Sequence, residues 1–116
     1  MAEHTRLSDL VKDGAPVGPR RFIEFSRAED LSCGVYVLPA GGADHQSPHT
    51  EDEIYYVVRG RAKFESATGA AQDVAPGDAI YVAAHEPHRF LDITEDLVLL
   101  VVFAPAYRSR ASAASG

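Results

Sequence analysis

The residues best suited to do chemistry lie in one ten-residue stretch, DHQSPHTEDE from Asp44 to Glu53, and in a shorter one, AHEPH from Ala84 to His88. The first holds His45, Gln46, His49 and the carboxylates of Asp44, Glu51, Asp52 and Glu53, and the second adds His85 and His88. Four of the chain's five histidines thus fall in two small clusters. Imidazole nitrogen and carboxylate oxygen together suit manganese, iron, cobalt, nickel, copper or zinc. The chemistry to weigh is therefore a divalent transition metal, against the plainer reading of a polar loop between two strands. Other chemistries lack their parts. The chain has no convincing Ser-His-Asp or Cys-His spacing, no phosphate-binding loop, no dinucleotide fingerprint and no basic aromatic stripe.

A metal site needs a frame, and the flanking sequence supplies one. From Arg21 onward, short β-branched or aromatic runs alternate with glycine and proline punctuation, the pattern of antiparallel sandwiches and barrels. The runs RRFIEF, SCGVYVL, EIYYVV, AKFES, a short segment near Ala71 to Val74, AIYVA, HRFLDI and DLVLLVVF are the expected strands. RGR, ATGA, APGD, AHEP and TED are the expected turns between them. Period-two alternation puts Glu53, Tyr55 and Val57 on one face of EIYYVV and Ile54, Tyr56 and Val58 on the other. The same parity would place Arg59 on the Glu53 face, and positions 45, 47 and 49 on a common side. Both faces of EIYYVV are largely apolar, and leaving either in water forfeits ~25 cal/mol per Å². One face should line the barrel interior and the other should meet another sheet or a partner, which makes a homodimer the expected state.

Leu7, Leu10 and Val11 could line one side of a short helix before the breaker GAPVGP. Residues 1–20 then form an N-terminal arm packed on the barrel or on a neighbouring subunit, residues 21–107 the barrel, and RSRASAASG, residues 108–116, a disordered tail. With 116 residues and 46% hydrophobic content, the chain can build one domain with a real core. A net charge of -6 argues against a nucleic-acid partner. No stretch reaches the ~18 apolar residues of a membrane span, and the N-terminus lacks the pattern of a secretion signal, so a cytoplasmic location is expected. The single cysteine, Cys33, reads as a small core residue of its strand.

At this point the residues resemble a known family. GADHQSPHTEDEIYYVVRG is similar to the first motif of the cupins, G-x5-H-x-H-x3-4-E-x6-G, with His49, Glu53 and Gly60 at matching intervals. GDAIYVAAHEPHRFLD resembles the second, G-x5-P-x-G-x2-H-x3-N, with Gly77 and His88 in place, Ala83 for the proline, His85 for the second glycine and Asp92 for the asparagine. Sixteen residues separate Gly60 from Gly77, a span typical of small bacterial single-domain cupins. The resemblance implies an all-β double-stranded β-helix, or jelly-roll barrel, with a divalent metal on His49, Glu53 and His88. The family's first histidine falls on Ser47, a poor ligand. Gln46 is favoured in its place by likeness to the Gln, His, Glu, His set of the phosphomannose isomerases, with His45 as the alternative and water a third possibility. By the same likeness the function would be that of a metal-dependent enzyme of dioxygenase, isomerase or lyase type acting on a small polar or anionic substrate. The competing expectation is a non-catalytic barrel that binds a small molecule or sugar acid with the metal structural or absent. Of the remaining polar residues, His85 is expected in solvent, Glu51 and Asp52 as solvated carboxylates, and Arg89 paired with an acid outside the barrel.

Overall fold

The computed structural model describes residues 2–11, 21–44, 48–67 and 69–109. Among the described residues, one short helix, α1 (Leu7–Leu10), precedes six strands: β1 (Arg21–Arg27), β2 (Ser32–Leu38), β3 (Asp52–Ser66), β4 (Gln72–Val74), β5 (Ala79–Val82) and β6 (His88–Ala104). All pairings are antiparallel. The strand order is β1-β2-β6-β3-β4, with β5 also paired to β3. This is the jelly-roll architecture, rolled so that alternate residues of the long strands face one interior.

Two pairs of expected strands prove to be single strands. EIYYVV and AKFES join through RGR as β3, and HRFLDI and DLVLLVVF join through TED as β6. The junctions bend instead of turning. The β3–β6 register shifts between Val57 and Arg59, between Arg59 and Arg61, and between Arg61 and Lys63, and each extra residue adds a local kink that lets one strand cross a barrel corner. Gly60 sits in the middle of this corner at φ +101°, and a Cβ there would lie 2.3 Å from the Asp96 carbonyl oxygen. Only glycine fits both the backbone and the space. The bulges also reset side-chain parity. Arg59, expected on the Glu53 face, is exposed, while Gly60 and Ala62 turn inward.

Within the first half of β3 the alternation holds. Glu53, Tyr55 and Val57 are buried, and Ile54, Tyr56 and Val58 are exposed. The interior packs Tyr55, Val57, Phe90, Leu97, Leu99 and Phe103 into the main core. On the outside, Leu7, Leu10 and Val11 pack against a second cluster of Val35, Val37 and Val98, so the helical part of the arm lies on its own barrel. The GAPVGP segment falls outside the described residues, as do residues 110–116 of the expected tail. Cys33 is half-buried, and burial pushes its thiol pKa up. Among the described residues, no helix is long and apolar enough to cross a membrane.

Candidate metal centre

Glu53 stands at the start of β3, and His88 at the start of β6, opposite Ser66 at the far end of β3. On a flat strand Glu53 and Ser66 would be ~40 Å apart. The rolled sheet instead brings Glu53 Oε1 to 3.2 Å from His88 Nε2 and 3.8 Å from His49 Nε2. Donor atoms of the three residues all lie within 4.8 Å of one another. Both carboxylate oxygens of Glu53 are buried without a hydrogen-bond partner among the described residues. A carboxylate in that position is costly unless a cation meets it.

The two imidazoles are aimed from behind. His88 Nδ1 donates to the Glu86 carbonyl at 2.8 Å, leaving Nε2 turned toward Glu53, the arrangement that fixes the tautomer of metal-binding histidines. The ring of His49 is held edge-on by Phe103 at 5.1 Å and Tyr107 at 5.5 Å. Its carbonyl accepts from the His85 amide at 2.6 Å, and the neighbouring Asp52 accepts from the Ala84 amide at 2.9 Å. These bonds staple the turn before His88 to the segment that carries His49. His85 itself is exposed, at φ +66°, and Asp92 lies at φ +49°. Both departures from the second cupin motif therefore preserve left-handed backbone where the motif has glycine and asparagine.

The protonation of the pair is split by its surroundings. For His49, burial is the largest influence and lowers the pKa; Glu53 opposes it, His88 reinforces it, and Glu51 and Asp44 oppose it, with the pKa ending below its ordinary value. For His88, burial again pulls downward, but the adjoining Glu53 carboxylate, the Glu86 carbonyl and the charge of Asp44 outweigh it, and its pKa is raised.

Two carboxylates behave otherwise than their sequence context suggests. Glu51, expected in solvent, is 1% exposed: its oxygens accept from the Thr50 hydroxyl and from the Arg108 amide, the latter at 3.0 Å. That bond folds residues 105–109 back and seats Tyr107 against His49. Asp44 is also buried and accepts from the Tyr36 hydroxyl at 2.8 Å and the Phe90 amide at 2.9 Å, pinning the start of the histidine-bearing segment to β2 and β6. A charged residue in a polar stretch carries no signal of such burial. Arg89 pairs with Glu65 at 3.0 Å on the outside, as expected. Gln46, His45 and Ser47 lie outside the described residues. A cleft of about 460 Å³ lined by Glu65, Ser66, Pro87 and Arg89 meets His88 from behind. The His88 side chain is fully buried, so this cleft does not open onto its donor atom.

A family model of the Cupin domain matches residues 34–103, a span that runs from β2 to the end of β6 and contains all three convergent residues. The chain is a cupin. It is 45% identical over 100 residues to an uncharacterized protein of Streptomyces coelicolor, covering 86% of this chain and 93% of that one. Among solved structures, a provisionally named mannose-6-phosphate isomerase of Ralstonia eutropha superposes with a TM-score of 0.69 at 28% identity, covering 90% of this cupin and 100% of the other chain. A Klebsiella pneumoniae protein with a double-stranded β-helix domain shares the fold, with a TM-score of 0.74 at 18% identity over 90% of this chain and 91% of that one.

Proposed function

We propose that this cupin binds a divalent transition metal through His49, Glu53 and His88 and uses it to act on a small polar or anionic molecule. The observation that carries the reading is Glu53, a buried carboxylate without a hydrogen-bond partner among the described residues and flanked by two imidazole Nε2 atoms. Two neutral imidazoles and one carboxylate form a donor set for iron, manganese, cobalt, nickel, copper or zinc. Three protein donors leave coordination positions for Gln46 or His45, water and a substrate oxygen. A redox metal would supply oxygenase chemistry, and zinc would polarise a carbonyl for isomerisation or elimination. The chain's own part is to hold the donors in place. His88 is oriented by the Glu86 carbonyl, His49 by the His85 amide and two aromatic rings, and the apolar interior excludes bulk water. The same geometry would serve a binding protein without turnover, and the likeness to a provisionally named sugar-phosphate isomerase favours catalysis.

The test is metal analysis of protein purified without chelator, alongside His49→Ala and His88→Ala. The intact protein should carry close to one ion per chain and each variant far less. Less than ~0.1 ion per chain after metal addition would sink the reading. As the second component of the proposal, the exposed outer face bearing Ile54, Tyr56, Val58 and Tyr81 supports association of two copies.

A further inference from the structure

Tyr107 belongs to the turn that follows β6 and lies beyond residues 34–103, the span matched by the Cupin domain. Its backbone is nevertheless tied to the barrel from three directions. Its amide donates to the buried Ser32 hydroxyl at 2.8 Å, its carbonyl accepts from the Arg27 guanidinium at 2.9 Å, and the next amide, that of Arg108, donates to the buried Glu51 carboxylate at 3.0 Å. Arg27 and Ser32 precede the matched span, so chain on both sides of it converges on this one residue. The ring is set as firmly as the backbone. It stacks on Phe103 at 4.7 Å and meets Phe22 at 5.8 Å, and Gly34 makes room for Phe22, since a Cβ there would run into that ring.

The same Tyr107 ring stands 5.5 Å from His49, with the two planes at 77°. The two histidines differ in how they are enclosed. The His88 side chain is fully buried and its Nδ1 donates to the Glu86 carbonyl. The His49 side chain is 15% exposed, and its ring rests against Phe103 and Tyr107. A metal donor has to be held within about 0.5 Å of its working position by neighbours that are themselves locked. A chain end, by contrast, is ordinarily one of the loosest parts of a domain. Three tethers on one terminal turn therefore ask for a purpose beyond closing the chain. We infer that Tyr107 is a positioning residue of the metal centre, and that the C-terminal turn is clasped so that its ring fixes the direction of the His49 donor nitrogen. This rests on the metal reading above and adds to it a part of the chain outside the matched domain. The contact is made by the ring, so phenylalanine should serve equally well.

The experiment titrates the full chain with cobalt(II), whose visible bands report the arrangement of its donors, in the wild type, Tyr107→Phe, Tyr107→Leu and Ser32→Ala. Leucine keeps apolar bulk but presents no flat ring to His49, and Ser32→Ala cuts one tether while leaving the ring and every donor in place. Urea unfolding of the metal-free proteins establishes that each variant is folded. Tyr107→Phe should match the wild type in affinity and spectrum. Tyr107→Leu should bind cobalt(II) roughly tenfold or more weakly with shifted bands, and Ser32→Ala should shift the bands in the same direction with a smaller loss. A residue that only packs would lower stability in urea and leave cobalt affinity and bands unchanged; that result would overturn the role of Tyr107 and leave the metal centre standing. An equal loss in Tyr107→Phe, or unchanged bands in Ser32→Ala, would overturn it as well, and Ser32→Ala decides alone if Tyr107→Leu does not fold. No cobalt binding by the wild type would overturn the metal reading, and this inference with it.

Discussion

Protons and a metal ion compete for the same two nitrogens, and the surroundings of His49 and His88 set where that competition falls. Metal binding requires both imidazoles to be neutral. The pKa of His49 is depressed, so it stays neutral to lower pH than a free imidazole, whereas that of His88 is raised, so it holds its proton to higher pH. Affinity should therefore fall as pH drops through the raised His88 pKa, before His49 begins to protonate. Zinc or cobalt affinity measured between about pH 8 and pH 5.5 should decline first with a slope of one proton, set by His88. A slope of two from the outset would contradict the split. Glu53 leads to a second prediction with opposite signs in two assays. Removing its buried charge in Glu53→Gln should stabilise the metal-free protein by about 1–3 kcal/mol in urea unfolding. The same change should abolish the rise in melting temperature on metal addition, about 10 °C for the wild type at a hundredfold excess over Kd. A site residue that weakens its own fold is the usual mark of function kept at the expense of stability.

The elements that carry these residues were legible in part. Alternation in EIYYVV correctly divided inward Glu53, Tyr55 and Val57 from outward Ile54, Tyr56 and Val58, because the period of a half-buried strand is written locally. The spacing of His49, Glu53 and His88 matched a family pattern, and the structure brings those three side chains together. What stayed hidden depends on distant partners. RGR and TED read as turns, since glycine and acidic residues favour turns, but tertiary pairing carries β3 and β6 through them as bulged strands. Glu51 looked like a solvent carboxylate, because the amide it accepts from belongs to the C-terminal turn. Gly60 provides a test at this scale. Gly60→Ala meets both a left-handed φ and the Asp96 carbonyl at 2.3 Å, so it should cost at least about 3 kcal/mol by urea unfolding. A loss under about 1 kcal/mol would mean that the corner of β3 relaxes easily.

At the scale of the whole molecule, one side of the barrel is unfinished. On the outer face, Val35 of β2 lies opposite Leu100 of β6, which lies opposite Tyr56 of β3, and Tyr56 pairs in turn with Ala79 of β5. In the next row Cys33, Val102, Ile54 and Tyr81 are aligned in the same order. At the β2 end, helix α1 covers Val35, Val37 and Val98 with Leu7, Leu10 and Val11. Toward β5 that cover stops, and Ile54, Tyr56, Val58 and Tyr81 are 47%, 45%, 37% and 62% exposed. A contiguous apolar strip of this kind is uncommon on a monomer. No residue of the two rows is charged, in a chain whose net charge is -6. A second copy can lay the same apolar strip against this one across a two-fold axis. Light scattering should give a dimer at micromolar concentration. Tyr56→Glu, which places a charge at the centre of the strip while leaving the interior untouched, should give a folded monomer with its metal content unchanged. A wild-type monomer would refute the dimer outright. A Tyr56→Glu dimer would move the contact to a different face of the barrel.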